Sequence, residues 1–203
     1  AFSNFNPLIG TLMKLQNKVA LVTGAGRGIG QAIARELASQ GATVYVHYNS
    51  SKETAETLAT EINGVAVQAN LSTPEGCRSL VDSIEDDIDI LVNNAGCTND
   101  KLIIQMSDED WSLPFRINLD ACFRLCRAAV KRMLRQRSGS IVNITSISGI
   151  NPGRGQANYA ASKAALYAFT RSLALEVAKK KIRCNCVAPG LVDTKMTADM
   201  NPL

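Results

Sequence analysis

Among 203 residues there is one histidine and one tryptophan, and aromatic residues make up 5% of the chain. The lone histidine, His47, lies in a β-branched stretch that reads as a strand. It reads there as a packed or solvated side chain rather than a base or metal ligand, and no metal is expected. No Gly-x-Ser-x-Gly elbow occurs, which removes serine-hydrolase chemistry. No Cys-x-x-Cys pair occurs among the six cysteines, so buried reduced thiols and a reducing compartment, the cytoplasm, are expected. Apolar runs such as 88–92 and 187–192 are short or broken by Pro and Gly, far from the roughly 20 residues a membrane helix needs.

Charge of one sign is also scarce. The net charge is +4, and basic residues gather only in Lys131–Arg137 and Lys179–Arg183. These read first as helix ends, where cations meet the negative end of the dipole. A docking patch for an acidic partner is the weaker alternative, and nucleic acid weaker still. Residues 1–12 precede a natural-looking start at Met13 and are expected to be a cloning remnant or the stub of a cleaved presequence. Residues 13–203 are expected to form a single domain.

What is present is alternation. Short apolar, β-branched runs at Val19–Thr23, Thr43–Tyr48, Val65–Asn70, Ile88–Asn93, Ser140–Ile144 and Arg183–Ala188 predict strands buried on both faces. Between them, Ile29, Ile33 and Leu37 share one helical face that stops at Gly41. Ser107-Asp-Glu-Asp predicts a helix start, with the helix running to about Arg137 and Pro114 in its first turn or at a kink. A further helix is expected from Ala157 to Lys180. This order predicts an α/β doubly wound parallel sheet with helices on both faces.

Thr23-Gly-Ala-Gly-Arg-Gly-Ile-Gly30 joins the first strand to the first helix. Gly24, Gly28 and Gly30, with Ile29 between the last two, allow a tight turn that brings backbone N–H groups and a helix N-terminus to a pyrophosphate. No Gly-Lys-Ser/Thr follows, which excludes a nucleotide kinase. No acid stands between Leu37 and Lys52 to hold a ribose 2′-hydroxyl. Asn49 and Ser50 occupy that place, and Arg27 is available to a 2′-phosphate, so NADP(H) is expected over NAD.

Tyr159 and Lys163 are four apart on a helix, where an ammonium can lower the pKa of a phenol. Ser146 follows a predicted strand end, with Thr145 and Ser148 as competing hydroxyls. Asn93-Asn-Ala-Gly96 and Pro189-Gly190 close two other strands, so these motifs converge on one crevice at strand C-terminal ends.

The motifs TGAGRGIG, NNAG, NITSISG, YAASK and APGLVDT resemble, in order and spacing, the short-chain dehydrogenase/reductase family, a Rossmann-type fold. INLD, GQANYAASKAAL and VAPGLVDTKMT are similar more narrowly to 3-oxoacyl-(acyl-carrier-protein) reductases. The resemblance implies that Tyr159 donates a proton, Ser146 orients the carbonyl oxygen, and Lys163 holds the nicotinamide ribose. Asn118, in Arg116-Ile-Asn-Leu119, would hold a water that resupplies protons. Asn70 and Leu71 would contact the adenine, and Asn93, Ala95 and Gly96 would flank the adenosine half. Pro189, Gly190, Val192 and Thr194 would border the nicotinamide.

It further implies an acyl-carrier-protein-linked substrate docking near Arg137 and Lys180. It also implies a homotetramer built through helices around 121–132 and 164–174. The alternatives are another alcohol or ketone substrate, or a non-catalytic NADP-binding relative; a plastid-like organelle is the alternative compartment. Relatives continue some way past Thr197, so the C-terminal end is expected to be missing here. The segment 83–89 is a few residues short of the family pattern.

Overall fold

The structure is a computed structural model that describes residues 14–192. Its six strands are β1 (Val19–Val22), β2 (Thr43–Tyr48), β3 (Val65–Gln68), β4 (Ile90–Asn93), β5 (Gly139–Ile144) and β6 (Ile182–Val187). They form one parallel sheet in the order β3-β2-β1-β4-β5-β6. The order reverses between β1 and β4, and a crevice opens beyond their carboxyl ends.

Six helices cover the sheet: α1 (Gly28–Ser39), α2 (Lys52–Glu61), α3 (Pro74–Asp82), α4 (Asp108–Phe115), α5 (Ala121–Gln136) and α6 (Ala157–Val177). Successive strand side chains point to opposite faces, which splits the core in two. Leu21, Leu91 and Ile141 pack with Leu80, Leu125, Met133 and Val177 from α3, α5 and α6. Ala20, Val22 and Val92 pack on the other face with Ala34, Ala55 and Leu58 from α1 and α2. No described helix is long and apolar enough to cross a membrane.

The strands lie where the apolar runs predict them, within a residue or two at each end. Pro114 departs from expectation. It is buried inside α4, beyond the first turn, and the helix continues through a π turn at Arg116–Asp120 into α5. Its missing N–H leaves the carbonyl of Asp110 without an in-helix donor. The side-chain amide of Asn158 takes that place at 2.7 Å. The short segment after α3 is held by Arg132, whose guanidinium donates to the carbonyls of Val81, Ile84 and Asp86 at 2.9, 2.8 and 2.8 Å.

Candidate active site

The glycine turn leaves β1 with Gly24 at φ 62° and Gly28 at φ 56°, conformations in which a side chain is strained. A Cβ on Gly30 would meet the carbonyl oxygen of Gly24 at 2.5 Å, so the helix start is pressed against the turn. Asn94 locks the turn from β4: its Nδ2 donates to the carbonyls of Thr23 and Gly24 at 2.9 and 3.1 Å. The backbone N–H groups of Asn94 and Ala95 both donate to Thr23 Oγ1 at 3.0 Å.

Arg27 at the N-cap of α1 supplies no capping side chain, and the first turn carries no acid. The helix therefore presents unneutralised N–H groups and positive dipole to the crevice, which fits an anionic pyrophosphate. Arg27, Asn49 and Ser50 are exposed beside it. Lys52 lies 3.8 Å from Glu56 in an exposed ion pair.

Two residues expected near the adenosine half turn their side chains inward. Asn93 is 1% exposed, and its amide points into the interior, donating to Asn143 Oδ1 at 2.8 Å and Cys126 Sγ at 3.2 Å. Asn143 in turn donates to Thr170 Oγ1 at 2.9 Å, which ties β4, β5 and α6 together. The side chain of Leu71 lies in the core, so only its backbone is available to a ligand. Asn70 is exposed at the end of β3, its Oδ1 accepting from the N–H and hydroxyl of Ser72.

Ser146 follows β5 and opens a 3₁₀ turn, its Oγ accepting from Ser148 N–H at 3.1 Å. Tyr159 stands in the first turn of α6, close enough to Ser146 for that hydroxyl to lower its phenol's pKa. Burial pushes the Tyr159 phenol above its ordinary range, and the nearby Ser146 hydroxyl partly offsets this. Lys163 is buried, donates to the Ile144 carbonyl at 2.8 Å, and lies 5.8 Å from the Tyr159 ring centroid. Desolvation is the larger influence on the Tyr159 phenol here. Lys163 is itself pushed down by burial.

Asn118 sits in the π turn, fully buried. Its side chain is committed to protein: Oδ1 accepts from Cys97 N–H at 2.9 Å, and Nδ2 donates to Cys97 O at 3.1 Å and Ser162 Oγ at 2.9 Å. Both amide donors are thus spent on protein, and the second lone pair of Oδ1 is the side chain's remaining hydrogen-bonding capacity. A Cβ on Gly96 would lie 3.1 Å from Asn118 Oδ1 and 3.3 Å from Lys163 Nζ, so Gly96, Asn118 and Lys163 meet at one point.

Ile147 N–H donates to the Pro189 carbonyl at 3.0 Å, drawing the segment after β6 toward Ser146. Gly190 and Val192 follow in that segment, exposed, and Thr194 lies outside the described residues.

Arg137 and Lys180 follow α5 and α6, away from the strand ends that carry Ser146. α5 and α6 run antiparallel to the strands, so these residues end just before β5 and β6 begin. Ser146 lies past the far end of β5, a six-residue strand at roughly 3.3 Å per residue. Within one chain the two cations stand at the opposite end of the sheet from the Ser146–Tyr159 pair.

Four contributors carried no signal in the sequence as read: Asn94, His47, Asn158 and Ser162. Asn94 lay inside a motif treated as a turn, and the partners of the others are distant in sequence.

A model of the short chain dehydrogenase family matches residues 18–202. The chain belongs to this family. Nodulation protein G of Rhizobium sp. (strain N33) is 47% identical over 196 residues, 94% of this chain and 79% of that protein. The 3-oxoacyl-[acyl-carrier-protein] reductase FabG of Vibrio cholerae is 43% identical over 93% of this chain and 79% of its own length. A solved structure from Beutenbergia cavernae, assigned as an NAD(P)-dependent gluconate 5-dehydrogenase with bound NADP, superposes with a TM-score of 0.86. It is 37% identical, across 92% of this chain and 77% of that one. The protein is thus an oxidoreductase of the short chain dehydrogenase family.

Proposed function

We propose that this short chain dehydrogenase reduces the 3-oxo group of an acyl thioester, carried on acyl carrier protein, to a 3-hydroxyl group. The observation that carries the reading is the Ser146–Tyr159 pair beside buried Lys163, at the strand ends that also hold the glycine turn. When bound, NADPH supplies the hydride. Gly24, Gly28, Ile29 and Gly30 would hold its pyrophosphate, Asn70 and the backbone at Leu71 and 94–96 its adenosine half, and Pro189 to Thr194 its nicotinamide end. Exposed Arg27, Asn49 and Ser50, with no acid at the end of β2, support NADPH over NADH.

Tyr159 transfers its O–H proton to the carbonyl oxygen as C3 receives the hydride. Ser146 donates a hydrogen bond to that oxygen and steadies the charge developing on it. Lys163 orients the ribose. Asn118 acts by fixing the Cys97 backbone and Ser162 around Lys163, and proton resupply runs past the π turn that carries it. Carbonyl becomes alcohol, with one hydride and one proton added.

An acyl chain is favoured over a polyhydroxy acid by the apolar residues flanking Ser146. Ile147, Ile150 and Leu191 are 49%, 71% and 74% exposed. A homotetramer through α5 and α6, where Phe123 and Tyr167 are exposed, and a cytoplasmic setting belong to the same proposal. Arg137 and Lys180 would then serve carrier-protein docking only beside another subunit's crevice. The test is loss of NADPH absorbance with an acetoacetyl thioester, run beside NADH and beside 5-ketogluconate. Thioester turnover preferring NADPH is expected; turnover of the sugar acid alone would replace the acyl substrate.

A further inference from the structure

The reaction proposed above makes no use of the chain's one histidine, yet His47 is 2% exposed and hydrogen-bonded through both ring nitrogens. Gly24 N–H donates to Nδ1 at 3.0 Å, and Nε2 lies 3.1 Å from the carbonyl oxygen of Ala69. An amide N–H only donates and a carbonyl only accepts. The ring must therefore carry its proton on Nε2 and present a bare lone pair at Nδ1. No other protonation state satisfies both partners.

The peptide that His47 holds is the first of the glycine turn. The Thr23–Gly24 amide is bound on its N–H side by His47 and on its carbonyl side by Asn94 Nδ2 at 2.9 Å. The next carbonyl, Gly24 O, is the atom against which Gly30 packs without a side chain. Gly30 lies in the first turn of α1, so rotation of the Gly24 amide would displace the N–H groups at the helix start. The same residue reaches the other half of the crevice. Ala69, whose carbonyl accepts the Nε2–H hydrogen bond, immediately precedes Asn70, and the His47 carbonyl accepts from Ala25 N–H at 2.9 Å.

We propose that His47 is a positioning residue for the dinucleotide, a single-tautomer strut that fixes the Gly24 turn and the end of β3 relative to each other. This rests on the cofactor reading above and extends it to a residue outside the glycine motif. The role is geometric, so its loss weakens cofactor binding and leaves the Ser146–Tyr159 chemistry intact once cofactor is bound.

The test compares the native protein with His47→Leu and His47→Asn. NADPH affinity is read by fluorescence titration, and kcat is read at saturating NADPH. H47L is expected to raise the NADPH Kd about tenfold, as loss of a buried hydrogen bond implies, with kcat near native. H47N places an amide oxygen where Nδ1 stands and is expected to recover most of the affinity. Long-range proton–nitrogen NMR on the native protein, with only one histidine to observe, should show the Nε2–H form. A proton on Nδ1, or native-like NADPH affinity in folded H47L, would overturn the role alone. Native protein that fails to bind NADPH would overturn the cofactor reading, and this role with it.

Discussion

Asn158 Nδ2 donates to the carbonyl of Asp110 at 2.7 Å, the acceptor that Pro114 deprives of its helical donor. The same amide donates to Asn99 O at 2.8 Å, and its oxygen accepts from Tyr159 N–H at 2.7 Å. One buried side chain thus joins the proline turn of α4, the loop after β4 and the start of α6. Asn158→Ala is expected to lower unfolding free energy by about 2 kcal/mol. Pro114→Ala restores an N–H facing Asp110 O, so it should recover part of that loss. Denaturant unfolding of both single variants and the double variant measures the coupling; strictly additive losses would contradict the substitution of one donor for the other.

Arg132 satisfies three carbonyls with one planar group. Arg132→Ala should destabilise the protein by about 2–3 kcal/mol, and Arg132→Lys should fail to restore it, because an ammonium cannot span the fork. Thermal unfolding of the two variants checks this; full rescue by lysine would show that charge alone holds the segment.

Gly30→Ala is expected to weaken NADPH binding more than about tenfold, because the added methyl would collide with Gly24 O and Asn94 Nδ2. Fluorescence titration reads the effect. Unchanged affinity would mean that the helix start and the turn can separate without consequence.

Burial pushes the His47 imidazole down to about 4 from its ordinary 6.5. The unfolded chain therefore binds a proton more readily than the folded one between those values. Stability is fully present above pH 6.5 and is lost as pH falls toward 4, by about 3 kcal/mol from this group. In H47N the loss over this window should be smaller by that amount, read from denaturant midpoints at several pH values.

The sheet was legible because its strands are continuous apolar runs between glycine-rich turns, a pattern that persists whatever surrounds it. The strand at Ile90–Asn93 begins two residues later than expected. Asp89, inside the expected strand, spends its carboxylate on Lys18 Nζ and Val19 N–H at 2.8 and 3.0 Å. Ser146, Tyr159 and Lys163 were legible from spacing and neighbouring motifs. The inward side chains of Asn93 and Leu71 were not legible, because a motif marks a place on the chain, not the direction of a side chain. The contacts of His47 and Asn158 were hidden because their partners, Gly24 and Asp110, are 23 and 48 residues away.

The most direct test of the account is Tyr159→Phe, compared with the native protein in NADPH oxidation by an acetoacetyl thioester and in NADPH titration. Loss of the phenolic proton should reduce turnover by about a thousandfold or more, while NADPH affinity stays near native. Retained turnover in the phenylalanine variant would contradict the assignment of Tyr159 as the proton donor.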